Sequence, residues 1–253
     1  VNRTGVSMAN GKWTKRLSKS ALIFGIGAPV VALVGVTLAR YDIVGKLEGF
    51  SGILAGALIA IVGLVVGIVA LVLVMKKGGS KKGVLLGLFS ALVYIGFLGS
   101  RVASSGDVPA LHDITTDLTN PPEFAELSLR ADNLAGVETV DNWRKMHSEG
   151  YPDIKSITIA KPVAAIIADA EELAKQRDWN VAAANPDTGH FEATASVSYI
   201  RFQDDVVLRA VPTEDGKASI VDMRSVSRVG VSDLGVNARR VRSFLDALVE
   251  KSR

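Results

Sequence analysis

The sequence predicts an α+β protein in two parts, three transmembrane helices followed by a domain with an antiparallel sheet. Three observations carry this expectation. The first hundred residues contain three long uncharged runs, at 20–39, 50–75 and 83–100. The charge balance then inverts. Eleven Lys and Arg face two acids, Asp42 and Glu48, in residues 1–100, and eighteen face twenty-four in residues 101–253, giving net charges of +9 and −6. From residue 151 onward, stretches of period 2 and period 3.6 alternate, as strands and helices require.

A helix of about 20 residues crosses a hydrocarbon core of ~30 Å. The run 20–39 meets that length, 50–75 exceeds it and implies tilt, and 83–100 approaches it. Residues 1–19, with Arg3, Lys12, Lys15, Arg16 and Lys19 and no acid, form a basic tail expected to be disordered or to lie along the membrane surface. The loop KKGGSKK (76–82) carries four lysines, whereas the loop at 40–49 is balanced. Basic residues stay on the cytoplasmic side, so the tail and second loop are expected inside and everything after residue 100 outside. In a Gram-negative cell this is an inner-membrane protein with a periplasmic domain.

The second helix carries Gly52, Gly56, Ala60, Gly63 and Gly67, and the third Gly83, Gly87 and Ala91. Small residues at such spacings let helix backbones approach closely, either within the bundle or against another membrane protein. None of the three runs holds a charge, so no ion or proton carrier is expected within the bilayer. Pro29 is expected to kink the first helix.

Residues 101–150 are expected to form a linker and, over 123–150, an ordered covering segment with short helical turns anchored by Phe124 and Trp143. Residues 156–160 read as a short strand. Pro162 suits the first position of a helix whose face is Val163, Ile166, Ile167, Ala170, Leu173 and Ala174. Residues 179–184 and 191–199 read as strands joined by a turn at Asn185-Pro186-Asp187-Thr188-Gly189. Residues 205–212 and 217–228 pair across Glu214-Asp215-Gly216. A last helix follows at 233–251, with Ser232 as N-cap, Asp233 in the first turn, and Leu234, Val241, Leu245 and Leu248 as its buried stripe. The order β-α-β-β-β-β-α over 151–253 is that of an antiparallel sheet with helices on one face, of the helix-grip or TBP-like kind.

Two motifs stand out, HDITTD (112–117) with Asn120-Pro121-Pro122 after it, and RSVSRVGVSDLGVNARRVRSF (224–244). Together they resemble the bacterial and plastid family catalogued as domain of unknown function 1499, over roughly residues 111–248. The resemblance implies no activity, cofactor or residue role; it implies that the two segments matter together.

The candidate binding residues are therefore Arg224, Ser225, Arg228, Asp233, Asn237 and Arg240 in the second motif, and His112, Asp113, Thr116 and Asp117 in the first. On a helix Asp233, Asn237 and Arg240 share one flank, and they are expected to form one polar cluster with Arg224 or Arg228. Two roles are open: ion pairing that ties the last helix to the last strand, or convergence of Arg224, Arg228 and Arg240 on an anion beside a helix N-terminus. The carboxylates of Asp113 and Asp117 suggest a hard-cation loop only weakly, because no glycine-bearing calcium motif accompanies them. A triad of Ser225 or Ser227 with His112 and Asp113 is open as well, since triads are defined by geometry.

Without cysteine, disulfides, thiol catalysis and iron–sulfur clusters are excluded. The basic residues flank apolar runs, which points to a lipid bilayer and away from nucleic acid. P-loop, dinucleotide, G-x-S-x-G and H-E-x-x-H motifs are absent, so no cofactor or metal is expected. The expected function is a membrane-anchored periplasmic module that binds a lipid-like or other small apolar ligand. The alternative is an interaction subunit of a larger membrane complex, docking through the small-residue face of Gly52, Gly56, Gly63 and Gly67.

Overall fold

The computed structural model describes residues 3–106 and 108–252 of the 253, so Val1 and Asn2 of the expected tail, Asp107 of the linker and Arg253 of the domain lie outside the described residues. The chain divides into two compact units, Val1–Gly106 and Asp107–Arg253.

The first unit is three helices, α1 (Arg3–Arg40), α2 (Lys46–Lys77) and α3 (Lys82–Ser105). Each contains a stretch long and apolar enough to cross a membrane, Lys12–Arg40, Lys46–Lys77 and Lys82–Ala103. The basic tail differs from its expectation, because α1 begins at Arg3. The apolar run supplies the nucleus, and adding turns to an existing helix is far easier than starting one. The bundle packs through its smallest side chains. A Cβ at Gly25 would fall 2.1 Å from the backbone oxygen of Gly87, and one at Gly56 would fall 2.6 Å from that of Ala28. Gly52 lies against Gly35, Gly63 against Phe24 and Gly25, and Gly67 against Leu88. Tyr94 Oη donates to the Ile53 carbonyl at 2.8 Å and Ser90 Oγ to that of Gly25 at 2.8 Å, tying α3 to both other helices. Leu33, Leu58, Val65, Phe89 and Phe97 face outward.

The second unit is built on an antiparallel sheet. Its strands are β1 (Asp113–Thr115), β2 (Ile157–Ile159), β3 (Asn180–Asn185), β4 (His190–Val197), β5 (Phe202–Pro212) and β6 (Ser219–Ser227), in the order β1-β6-β5-β4-β3. β1 pairs with the second half of β6 and β2 with the first half, along the same edge. Helices α5 (Val163–Gln176) and α6 (Val236–Glu250) bury Ile166, Ile167, Ala170, Val241, Phe244 and Leu248 in one core with Phe191, Leu208 and Met223 of the sheet. Phe244 stacks on Trp179 with ring centroids 4.9 Å apart.

Residues 101–150 differ most from the sequence reading. α3 continues to Ser105, β1 joins the sheet, and a regular helix α4 (Val140–Gly150) follows, capped by the Thr139 hydroxyl. α4 closes the open edge of β1. Backbone groups of Asp113 and Thr115 that point away from β6 would be unsatisfied at a buried edge. Trp143 Nε1 donates to the Asp113 carbonyl at 2.9 Å, and His147 Nε2 accepts from the Thr115 N–H at 3.1 Å. The expected strand 191–199 ends at Val197, where the chain turns through Ser198 and Arg201 at positive φ.

Candidate functional site

Strand alternation decides where the motif residues go. Successive side chains of β6 point to opposite faces of the sheet. Ser225 and Ser227 face α6, whereas Arg224, Val226 and Arg228 face the other side. The expected single cluster is therefore split into two by the sheet, and the three arginines do not converge on an anion.

On the helix side lies a buried network. Ser225 Oγ donates to Asn237 Oδ1 at 2.7 Å, and Asn237 Nδ2 donates to Ser227 Oγ and to the His112 carbonyl, both at 2.9 Å. Arg240 donates through Nη1 to Ser225 Oγ at 2.9 Å and to Asn237 Oδ1, and through Nη2 to Asp204 Oδ2 at 2.6 Å. Arg240 is 9% exposed and Asp204 3%. One turn of α6 thereby grips β6, β5 and the residue before β1.

Asp233 does not join this network as an ion-pair member. Its carboxylate accepts from the backbone N–H groups of Gly235, at 2.7 Å, and Asn237 at the start of α6, and the cap position falls on Gly235 rather than on the expected Ser232. Burial is the main reason its pKa is raised, and the two N–H donors and Arg240 oppose that shift. The helix begins at Val236 rather than at residue 233. Leu234 consequently sits in the preceding turn at φ 54, 57% exposed, and is not part of the buried stripe.

The opposite face is a polar ladder. Arg224 forms a bidentate pair with Asp113, Nε to Oδ1 at 2.9 Å and Nη2 to Oδ2 at 2.6 Å, and Asn133 Nδ2 donates to the same carboxylate. Arg228 holds Asp205 through Nε and Nη2, both at 2.8 Å, and that side-chain bonding raises its pKa. Arg209 bridges Asp222 at 2.9 Å and Asp117 at 3.1 Å. Asp222 also accepts from Thr116 at 3.0 Å and from Ser156. Glu192, fully buried, accepts from the backbone N–H groups of Ala125, Glu126 and Leu127 and contacts His190 Nε2 at 2.6 Å. Burial pushes its pKa up, but the bonds from Ala125, Leu127, His190 and Glu126 together hold it below the usual glutamate value. Residues 117–130 are thus strapped across this face by charged hydrogen bonds.

The first motif is dispersed accordingly. Asp113 and Asp117 are each engaged by an arginine and do not form a cation loop. His112 donates no bond to Ser225 or Ser227, and the Asp113 carboxylate belongs to Arg224 and Asn133, so the Ser–His–Asp arrangement is not assembled. His147 is the histidine placed among functional-looking groups, and the sequence reading missed it. Accepting at Nε2 puts its proton on Nδ1, which is buried without a partner among the described residues. Burial lowers its pKa, against the pull of Asp113. Asp204, Asp205, Arg209, Asp222 and Glu192 were missed too. Their signal was available, because two adjacent acids inside the apolar strand FQDDVVLRAVP must place one carboxylate on each face.

Two openings lie beside these residues. One is an open groove of about 440 Å³ lined by Thr116, Asp117, Leu118, Tyr151, Ile154 and Ser156 among others. Another, beside Phe124, Arg130 and Arg228, has room for about 10 Å³, roughly one water.

No curated protein and no solved structure matches the chain. The profile of the family described as protein of unknown function (DUF1499) matches residues 113–248, from the first residue of β1 to the last buried leucine of α6. The match covers both polar networks and the strap across one of them, and the chain belongs to this family.

Proposed function

We propose that this chain is a membrane-anchored accessory protein whose second unit acts by docking rather than by turning over or enclosing a ligand. One observation carries the reading. The charges of the two motifs are held by partners within the domain: Arg224 by Asp113, Arg228 by Asp205, Arg240 by Asp204, and Asp117 by Arg209, which also holds Asp222. The two buried pairs, Arg224–Asp113 and Arg240–Asp204, support a role in setting the shape of the domain. The core between sheet and helices is filled by side chains, which supports a helix-grip-like fold without an enclosed apolar chamber. The basic loop 76–82, beside a balanced loop at 40–49, supports an inner-membrane topology with the second unit on the periplasmic side.

A second reading has the groove beside Thr116 and Tyr151 in its favour. Its lining is part apolar (Leu118, Pro152, Ile154) and part hydroxyl, which suits a small amphipathic ligand lying at the surface. Native mass spectrometry of the full chain in mild detergent separates the two. A stoichiometric protein partner supports docking. A stoichiometric small molecule on an otherwise free chain overturns it in favour of the groove.

A further inference from the structure

Leu234 is out of keeping with its surroundings. A bulky apolar residue rarely adopts a left-handed backbone conformation, and such outliers persist where the surrounding structure enforces them. Leu234 does so at φ 54 and leaves 57% of itself exposed. Val231, three residues earlier, is 50% exposed and rests with its Cβ 3.0 Å from where a Cβ on Gly136 would stand. The loop that displays them is firmly held. The Asp233 N–H donates to the Leu111 carbonyl at 3.0 Å, and Arg130 Nη1 to that of Gly230 at 2.6 Å. Beside it stands Arg239, whose Nη1 donates to the Leu234 carbonyl at 3.2 Å and which has no carboxylate within 4.0 Å among the described residues.

Chain connectivity adds an independent limit, whatever the orientation of the two units. Val108 Cγ1 lies 3.3 Å from where a Cβ on Gly235 would stand, so the chain enters the second unit beside this loop. Helix α3 ends at Ser105. An extended chain covers at most ~3.6 Å per residue, so Val108 is within about 11 Å of the end of α3. The headgroup layer of a bilayer is itself several ångströms thick, about 5–8 Å on each side.

We propose that the β6–α6 loop is an interfacial lipid contact, with Val231 and Leu234 entering the headgroup–acyl boundary and Arg239 on lipid phosphates. Aliphatic side chains beside a free cation are the composition that such contacts use, the long arginine stem reaching back to the phosphate layer. The contact rests on the reading that α1–α3 cross the bilayer.

The chain has no cysteine, so a single introduced thiol carries a single label. The full chain, spin-labelled through Leu234→Cys or Val231→Cys and reconstituted in vesicles of phosphatidylcholine and phosphatidylglycerol, is compared with Glu214→Cys in the turn at the opposite end of β6 and Val62→Cys on the outer face of α2. Expected are collision rates with oxygen several-fold above those with a water-soluble nickel chelate at 231, 234 and 62, and the reverse at 214. Lipid at 62 with water at 231 and 234 overturns this contact alone. Shielding of 231 and 234 from both reagents places another protein there and overturns it as well. Water at 62 overturns the anchoring reading and the contact with it.

Discussion

Replacing Arg240 by alanine should destabilise the second unit clearly more than replacing Arg228. Arg240 lies between α6 and the sheet, 2.6 Å from Asp204, and supplies bonds to Ser225 and Asn237 as well. The variant leaves Asp204, 3% exposed, as a charge without its counter-ion. Removing one partner of a buried pair costs about 3–5 kcal/mol, chiefly because the remaining charge is stranded. At roughly 2–4 °C per kcal/mol for a chain of this size, the unfolding midpoint should fall by ~6–20 °C. Arg228→Ala is the internal reference. Its side chain is 42% exposed, so water can take over part of its role beside the buried Asp205, and the cost should be clearly smaller. A third variant, Arg240→Met with Asp204→Leu, should recover most of the loss, since an apolar pair of similar volume replaces a buried ion pair at little cost. The assay is thermal or urea unfolding of the full chain in detergent, followed by tryptophan emission, because Trp179 lies under the Arg240 guanidinium and against Phe244. If Arg240→Ala moves the midpoint no further than Arg228→Ala, the network does not hold the helix to the sheet, and the structural role assigned to it is refuted.

Other expectations follow from the same contacts. His147 has its pKa lowered by burial, so the folded state resists a proton that the unfolded chain takes up near the ordinary value of 6.5; stability should be full above that pH and decline as the pH falls below it, and His147→Gln should flatten the decline in a midpoint-versus-pH series. Glu192→Gln removes the anion that gathers three backbone N–H groups of the strap; hydrogen exchange at Ala125 and Leu127 should accelerate by about tenfold or more, the loss being about 1–3 kcal/mol, while exchange in α5 stays unchanged. The same carboxylate has a depressed pKa, so its contribution should be present above the usual glutamate value of 4.5 and be lost as pH falls below it. In the first unit, Gly25→Leu should separate α1 from α3, since even a Cβ would overlap the Gly87 oxygen, and a cross-link between cysteines introduced at positions 21 and 84 should be lost.

The sequence by itself determined the elements that repeat locally. Uncharged runs of 18 residues or more are long enough to cross a hydrocarbon core as helices, so α1–α3 were legible from composition alone. The face of α5, from Val163 to Ala174, and the alternation of β4 and β5 were legible for the same reason, because burial imposes a period on a continuous segment. β1 and α4 were not. A strand of three residues has no period to read, and α4 presents only Trp143, Met146, His147 and the following Tyr151 as a face, at the i, i+4, i+8 spacing that would have disclosed it. Pairings were beyond reach as well. Which acid neutralises which arginine depends on strand register, and the partners Asp113 and Arg224 stand 111 residues apart in sequence. The motif at 224–244 shows the division most clearly. Its helix and its polar flank were visible as a pattern, but the sheet passes between Ser225 and its neighbours Arg224 and Arg228. Only the tertiary fold decides that one of these residues is bound to Asn237 and the other two to Asp113 and Asp205, because a one-residue step along a strand reverses the face.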